Sequence, residues 1–332
     1  MDENPIKNEF GSQDCKSDDI ELPHDGLIWH SLEVKPTELR IEKSLVSGQS
    51  FRWIQTNISE WTCVLDTSWI TLRQTNDDVL FTIRNNQTVE EVRRQLRSYF
   101  QLDILLAPLW KEWRNDSNFE KKSIGFEGLR ILKQPKLETI LSFICSSNNN
   151  IPRITSMVQR LCKEYGDYYG NVLDHNQVNQ EFYSFPTLQS LNSQKNLESK
   201  LREFGFGYRA KYIAISVKFI SDQGESWLAN IHQMEDTKSE LLKLTGVGPK
   251  VADCICLFSM DKYDAIPVDT HVWQIAQRDY NLKGTTLTPK VYKSIHELFL
   301  KKFGTYSGWA HTILFAADLS MFQKGPTKKR KR

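Results

Sequence analysis

The sequence predicts an α+β chain, a small antiparallel-sheet part followed by a longer helical part. Two observations carry this reading. Apolar and polar residues alternate in short runs between Trp29 and Arg84, and from Leu137 the apolar spacing lengthens to the helical period almost throughout. Residues 50–54, 61–65, 69–73 and 79–84 read as strands separated by Asp/Ser and Asn/Asp turns. Thr88, with Glu91 three residues on, is the signature of a capped helix start. Residues 138–145, 153–165, 211–220 and 238–244 read as helices, and no internal repeat is evident. The expected organisation is a polar tail over 1–25, an α+β domain over 26–135, an all-helical domain over 136–324 and a basic tail over 325–332.

Composition bounds the possibilities. The chain has 332 residues, 39% hydrophobic and 25% charged, enough for a sizeable core and two domains. A net charge of +2 neither requires nor excludes nucleic-acid binding, because a basic face can coexist with acidic segments elsewhere. The six cysteines are scattered without a CxxC pair, so no disulfide framework, zinc site or other metal or cofactor is expected, and a reducing compartment is. No apolar run reaches the roughly 20 residues of a membrane span. The acidic, polar start lacks the features of a signal peptide and reads as disordered. Lys328-Lys329-Arg330-Lys331-Arg332 reads as a nuclear import signal or an extra phosphate contact, against the plainer reading of a solvated tail.

The chemistry concentrates between Leu241 and Trp273. Thr245-Gly246-Val247-Gly248 follows one helical segment, and Pro249 suits the first position of the next. Glycines let backbone approach a ligand closely, and the free amides at the following helix start favour an anion. Such a turn can hold a DNA phosphate without reading sequence, or be an ordinary interhelical turn. Lys250 sits just after it, on a segment whose apolar pattern (Val251, Ala252, Ile255, Leu257, Phe258) implies a largely buried helix. Burial favours the neutral amine, which can attack C1′ of a nucleotide, displace the base and form a Schiff base. A plain surface lysine is the alternative.

Asp269, in Pro267-Val268-Asp269-Thr270-His271, is a natural N-cap for the segment that follows, and its carboxylate can also stabilise positive charge on a sugar losing its base. His271 is either a surface residue or a phosphate donor. Ser146-Ser147-Asn148-Asn149-Asn150 is turn-prone, with Arg153 close behind; it reads as a loop and cap, or as amides inserted into a duplex. Gly207-Tyr208-Arg209 supplies an aromatic wedge and a guanidinium suited to the gap left by an extruded base.

Taken in order, Ser47-Gly-Gln-Ser-Phe-Arg-Trp53, Phe143-Ile-Cys-Ser-Ser-Asn-Asn-Asn-Ile151, Gly205-Phe-Gly-Tyr-Arg-Ala210, Gly246-Val-Gly-Pro-Lys-Val-Ala-Asp-Cys254, Pro267-Val-Asp-Thr-His271 and Gly308-Trp-Ala-His-Thr-Ile-Leu-Phe315 closely resemble the eukaryotic-type 8-oxoguanine DNA glycosylases/AP lyases of the helix-hairpin-helix superfamily. The resemblance covers residues 28 to 320. It implies a TATA-binding-protein-like antiparallel domain followed by an all-helical helix-hairpin-helix glycosylase domain. It implies Lys250 as Schiff-base nucleophile and Asp269 as the essential carboxylate. It places Cys254 and Phe315 on either side of the flipped base, and makes the Gly48 carbonyl the acceptor for N7–H of 8-oxoguanine. Guanine presents a lone pair there, and a buried acceptor left unpaired costs roughly 1–3 kcal/mol. Asn148 would enter the vacated helix, Arg153 and Arg209 would read the opposite cytosine, and Tyr208 would wedge beside it. His271 and the amides of Gly246, Gly248 and Val251 would contact phosphate.

The chain departs from the family at His311, where glutamine is usual for reading the Watson–Crick edge; an imidazole offers its donor and acceptor on different sides of a ring. No iron–sulfur cysteines follow Asp269. The expectation is a monomeric, cofactor-free enzyme excising oxidised guanine opposite cytosine in double-stranded DNA, with no membrane association and located in the nucleus, the mitochondrion remaining open. The alternatives are a glycosylase for another lesion, such as a ring-opened purine, and a non-catalytic helix-hairpin-helix DNA-binding protein. Deleting residues 328–332 is expected to abolish nuclear enrichment of a tagged protein under the microscope; an unchanged distribution removes the import reading.

Overall fold

A computed structural model describes residues 26–319, 321 and 322. The N-terminal tail and the basic tail lie outside the described residues.

Five strands form one antiparallel sheet: β1 (His30–Ser31), β2 (Ile54–Asn57), β3 (Glu60–Leu65), β4 (Ser68–Gln74) and β5 (Val79–Ile83), in the order β1-β5-β4-β3-β2. The alternation dictates which side is apolar. Trp61, Cys63 and Leu65 of β3 join Ile70, Leu72 and Phe81 against the Val89–Tyr99 helix, where Val92, Leu96 and Tyr99 are buried. That helix starts with the expected capping box, Thr88 Oγ1 accepting from the Glu91 amide at 3.3 Å. The opposite face carries a run of hydroxyls, Thr56 to Thr62 at 2.9 Å and Thr62 to Thr71 at 2.8 Å.

A second, larger core gathers the helices Lys136–Cys145, Ile151–Tyr165, Arg209–Gln223, Pro249–Ser259, Thr270–Tyr280, Pro289–Phe303 and Ser307–Asp318. Leu106, Trp110, Trp113, Phe119 and Leu129 also belong to this core, although they precede residue 136 in the chain. Two expectations need correction. Residues 50–53 are not strand; β2 begins only at Ile54. Phe51 is drawn into the helical core and Trp53 into the sheet core, so this stretch bridges two apolar bodies and has no ladder partner. The helical region is also not purely helical. It contains the hairpin β6 (Tyr168–Leu173) and β7 (Asn179–Tyr183), whose Phe182 lies 6.0 Å from Trp69, so that it covers the sheet's hydroxyl face.

Between the two cores Arg52 pairs with Glu138 at 2.9 Å and donates to the Tyr183 carbonyl at 2.9 Å, tying sheet, helix and hairpin together. Both side chains are almost fully buried. Burial opposes the charge on Arg52, and the Glu138 carboxylate outweighs it, so the guanidinium stays ionised. Arg52→Met, which strands the carboxylate, is expected to cost about 3–5 kcal/mol in urea unfolding, and Glu138→Leu in the same chain should recover much of it.

Candidate active site

The residues expected from the sequence to carry the chemistry meet where the Pro249–Ser259 helix faces the start of Thr270–Tyr280 and the Ser307–Asp318 helix. Gly248 is the N-cap of the first, Pro249 occupies its first turn, and no side chain caps it. The amides of Lys250 and Val251 are thus left without intrahelical partners, while Ala252 N–H already bonds the Gly248 carbonyl at 2.9 Å. Gly246 has φ +88°, and a Cβ there would lie 2.7 Å from the Tyr212 ring, so both backbone conformation and space require glycine. Ser147, Tyr208, Tyr212 and residues Gly246 to Gly248 line an open cleft of about 530 Å³. An anion at the hairpin therefore lies next to the tyrosines and the asparagine loop.

Lys250 is half-buried, although the helix beyond it, Val251 through Ser259, is buried throughout. Its Nζ stands 5.6 Å from the centre of the Phe143 ring. Asp269 caps the Thr270–Tyr280 helix as expected, Oδ1 accepting from Val272 N–H at 3.0 Å; its second oxygen has no hydrogen bond among the described residues. Capping fixes the carboxylate and leaves half of it available. The charges of Lys250 and Asp269 both act on the Cys254 thiol and on His311, which places the four side chains around one site. Burial pushes the Cys254 thiol up to about 11, with Lys250 working against the shift, so this is an apolar wall and not a thiolate.

Phe315 is partly exposed. Its ring stacks on His311 at 6.4 Å and meets His271 edge-on at 6.1 Å. His271 is itself exposed. His311 is buried, packs edge-on to Phe299 at 5.7 Å, and neither ring nitrogen has a hydrogen-bond partner among the described residues. The nearby Gly308 carbonyl accepts from Thr312 Oγ1 at 2.8 Å instead. Burial pushes the imidazole down to about 4, Asp269 resisting and Lys250 assisting, so it is neutral at physiological pH.

Gly48 has φ +84°, and a Cβ there would come within 3.0 Å of Ile151. Its neighbour Gln49 anchors the turn. The Gln49 amide donates to the carbonyls of Ser44 at 2.9 Å and Arg130 at 2.8 Å and accepts from Leu132 N–H at 2.9 Å, while its own carbonyl accepts from Gln134 at 2.7 Å. Of the three asparagines, two are engaged locally. Asn149 donates to the Cys145 carbonyl at 2.9 Å, and Asn150 caps the Ile151–Tyr165 helix through Arg153 N–H at 3.0 Å. Asn148 remains exposed in a left-handed conformation, φ +47°. Arg153 is exposed, with one long bond of 3.4 Å to the Gly205 carbonyl.

Arg209 is placed differently. It is buried and bonds the carbonyls of Ser147, at 3.1 Å through Nε, and Asn148, at 2.9 Å. Tyr208, partly exposed, donates to the same Ser147 carbonyl at 2.9 Å. Sequence reasoning assigned no part to Ser147, Phe143, Gln49 or Phe299; the first three lie in quoted motifs, but nothing in their spacing indicates what they touch.

The sequence matches the family model described as "8-oxoguanine DNA glycosylase, N-terminal domain" over residues 31–140 and that described as "HhH-GPD superfamily base excision DNA repair protein" over 141–301. It is 38% identical over 301 residues to an N-glycosylase/DNA lyase OGG1 of Arabidopsis thaliana, spanning 88% of this chain and 80% of the relative. It is 34% identical to an N-glycosylase/DNA lyase of Saccharomyces cerevisiae over 90% of each. Among solved structures, the 8-oxoguanine glycosylase/lyase of Clostridium acetobutylicum, in complex with double-stranded DNA containing cytosine opposite 8-oxoguanine, superposes with a TM-score of 0.74 at 32% identity, covering 85% of this chain and 92% of that one.

The neutral, buried His311 makes a prediction about pH. Its folded-state pKa, about 4 against an ordinary 6.5, means that the unfolded chain binds the extra proton between these values, so stability falls as pH drops through that window. In urea unfolding over that range His311→Gln is expected to flatten the decline; an unchanged slope contradicts the assignment. With both of its parts matched and the same fold, the chain belongs to the 8-oxoguanine DNA glycosylase/lyase family of helix-hairpin-helix base-excision repair proteins.

Proposed function

We propose that this protein, a DNA N-glycosylase with lyase activity, excises 8-oxoguanine opposite cytosine from duplex DNA and then nicks the strand. The observation that carries this reading is the convergence of Lys250 and Asp269 on a site walled by Cys254, His311 and Phe315. The Lys250 nitrogen lone pair attacks C1′ of the flipped nucleotide, and the bond from C1′ to the base breaks, its electron pair leaving with the base, which takes up a proton that the nitrogen releases. The nitrogen lone pair then forms the C1′–N double bond as the C1′–O4′ bond opens, its electron pair going to O4′, which takes up a proton from water, and this gives the protonated Schiff base. Loss of a C2′ proton and departure of the 3′ phosphate by β-elimination then cut the strand. Asp269, held by its cap, stabilises the positive charge as the base leaves.

Cys254 and Phe315 enclose the base, and the Gly48 carbonyl accepts from N7–H, which guanine lacks. His311 turns one ring nitrogen, donor or acceptor, to the base edge where glutamine would offer both, which extends the reading to ring-opened purines. The hairpin amides and His271 take phosphate, Asn148 and Tyr208 fill the vacated stack, and Arg153 and Arg209 address the opposite cytosine. The protein acts as a monomer in the nucleus.

Incubated with a duplex carrying 8-oxoguanine opposite cytosine, in chelator with borohydride, wild-type protein is expected to form a covalent adduct resolved by denaturing electrophoresis, and Lys250→Gln none. Absence of both adduct and base release from wild type overturns the reading.

A further inference from the structure

Asp269 is useful only if it stays fixed relative to Lys250, yet the two sit on different elements. Lys250 rides on the Pro249–Ser259 helix. Asp269 stands at the end of the loop that leaves this helix, after Pro267, which has no N–H to contribute. The early part of the loop is tied to its surroundings: Lys262 N–H bonds the Cys256 carbonyl at 3.2 Å, Ala265 N–H the Lys262 carbonyl at 3.0 Å, and the Tyr263 carbonyl accepts from Gly308 at 2.9 Å. From Ile266 to Val268 the backbone is fully buried, and there the bond comes from a side chain. The Tyr292 hydroxyl, on the Pro289–Phe303 helix, accepts from Val268 N–H at 3.4 Å and lies 3.4 Å from the Ile266 carbonyl.

The same hydroxyl donates a short hydrogen bond to Asp253 Oδ2. Asp253 is buried, stands three residues after Lys250 on the same helix, and has its other oxygen 2.6 Å from Lys238. The Lys238 ammonium in turn lies 5.3 Å from the centre of the Tyr292 ring. Burial next to the Asp253 carboxylate pushes the phenol pKa far up, so the hydroxyl keeps its proton and its orientation. One oxygen atom therefore joins the Lys250 helix to the residue preceding Asp269. Removing it strands a buried N–H and loosens that join.

We propose that Tyr292, oriented by Asp253 and Lys238, is a positioning residue that fixes the Asp269 carboxylate against Lys250. It touches neither base nor sugar. This inference rests on the roles given above to Lys250 and Asp269, and adds a device that sits behind the site, since Tyr292, Asp253 and Lys238 are given no contact with DNA in that reading.

The test is Tyr292→Phe, which keeps the ring and removes the hydroxyl, assayed for single-turnover excision of 8-oxoguanine opposite cytosine. Because a displacement near the reacting atoms is costly in rate, the saturated rate is expected to fall about tenfold or more, with the half-saturating protein concentration within about twofold of wild type. In an Asp269→Asn background the same substitution should cost nothing further, since there is no carboxylate left to place. Asp253→Asn, which keeps an acceptor for the hydroxyl, should stay within about threefold of wild type. Circular dichroism melts accompany each variant. A wild-type rate in Tyr292→Phe, an equal loss in both backgrounds, or a loss confined to the half-saturating concentration overturns the proposal. Inactivity of the wild type itself overturns instead the function proposed above, so the two failures are distinguishable.

Discussion

Arg52 and Glu138 form an ion pair nearly shut off from water at the place where the two hydrophobic cores meet. A charge in that position is tolerated only with its partner and with its remaining donors engaged, which is why the Tyr183 carbonyl lies where it does. On either side of Arg52 the chain inserts Phe51 into one core and Trp53 into the other. Four residues before Arg52 it makes the Gly48 turn. The position of that turn relative to the helices thus follows from an interaction buried below it, with Gln49 locking the turn to the 130–134 segment.

The helical side of the site is organised by helix ends. Three elements present their N-termini or preceding turns to one region: the glycine hairpin before Pro249, the Asp269 cap, and the asparagine loop that ends in the Asn150 cap. Two of these helix starts are closed by a side chain and one is left open. The open one, with uncapped amides, is where an anion is favoured. The closed ones fix side chains: at Asp269 a carboxylate with one oxygen bonded, at Asn150 the first turn carrying Arg153. Phe143 and Cys254 then flank Lys250, which stays half-buried.

Much of this could be read in the sequence, for physical reasons that differ from one residue to another. Thr88 and Asp269 were legible because capping depends on neighbours a few residues away. Strands β3, β4 and β5 were legible because one face of each is apolar. The same alternation misled at residues 50–53, where side chains enter two different cores and no ladder forms. The hairpin β6–β7 was missed because it is largely exposed and Phe182 is the one residue of its two strands that is buried, too little for an alternating pattern to show. Lys250 could be singled out from its place after the glycine turn, but the Phe143 ring beneath it comes from a distant part of the chain. The burial of Arg209 is of the same kind, since its partners are main-chain carbonyls that any sequence would offer.

The double hold on the Ser147 carbonyl by Tyr208 and Arg209 has a consequence of its own. The bonds to Ser147 and Asn148 use Nε and one terminal nitrogen of the guanidinium, so the other terminal nitrogen keeps two N–H donors without a partner among the described residues. The direction of those donors is set by the loop backbone that holds the rest of the group. In the function proposed above, the strand opposite the lesion would therefore meet a guanidinium whose orientation is settled before DNA arrives, and most of the side-chain entropy of that contact would already have been lost on folding.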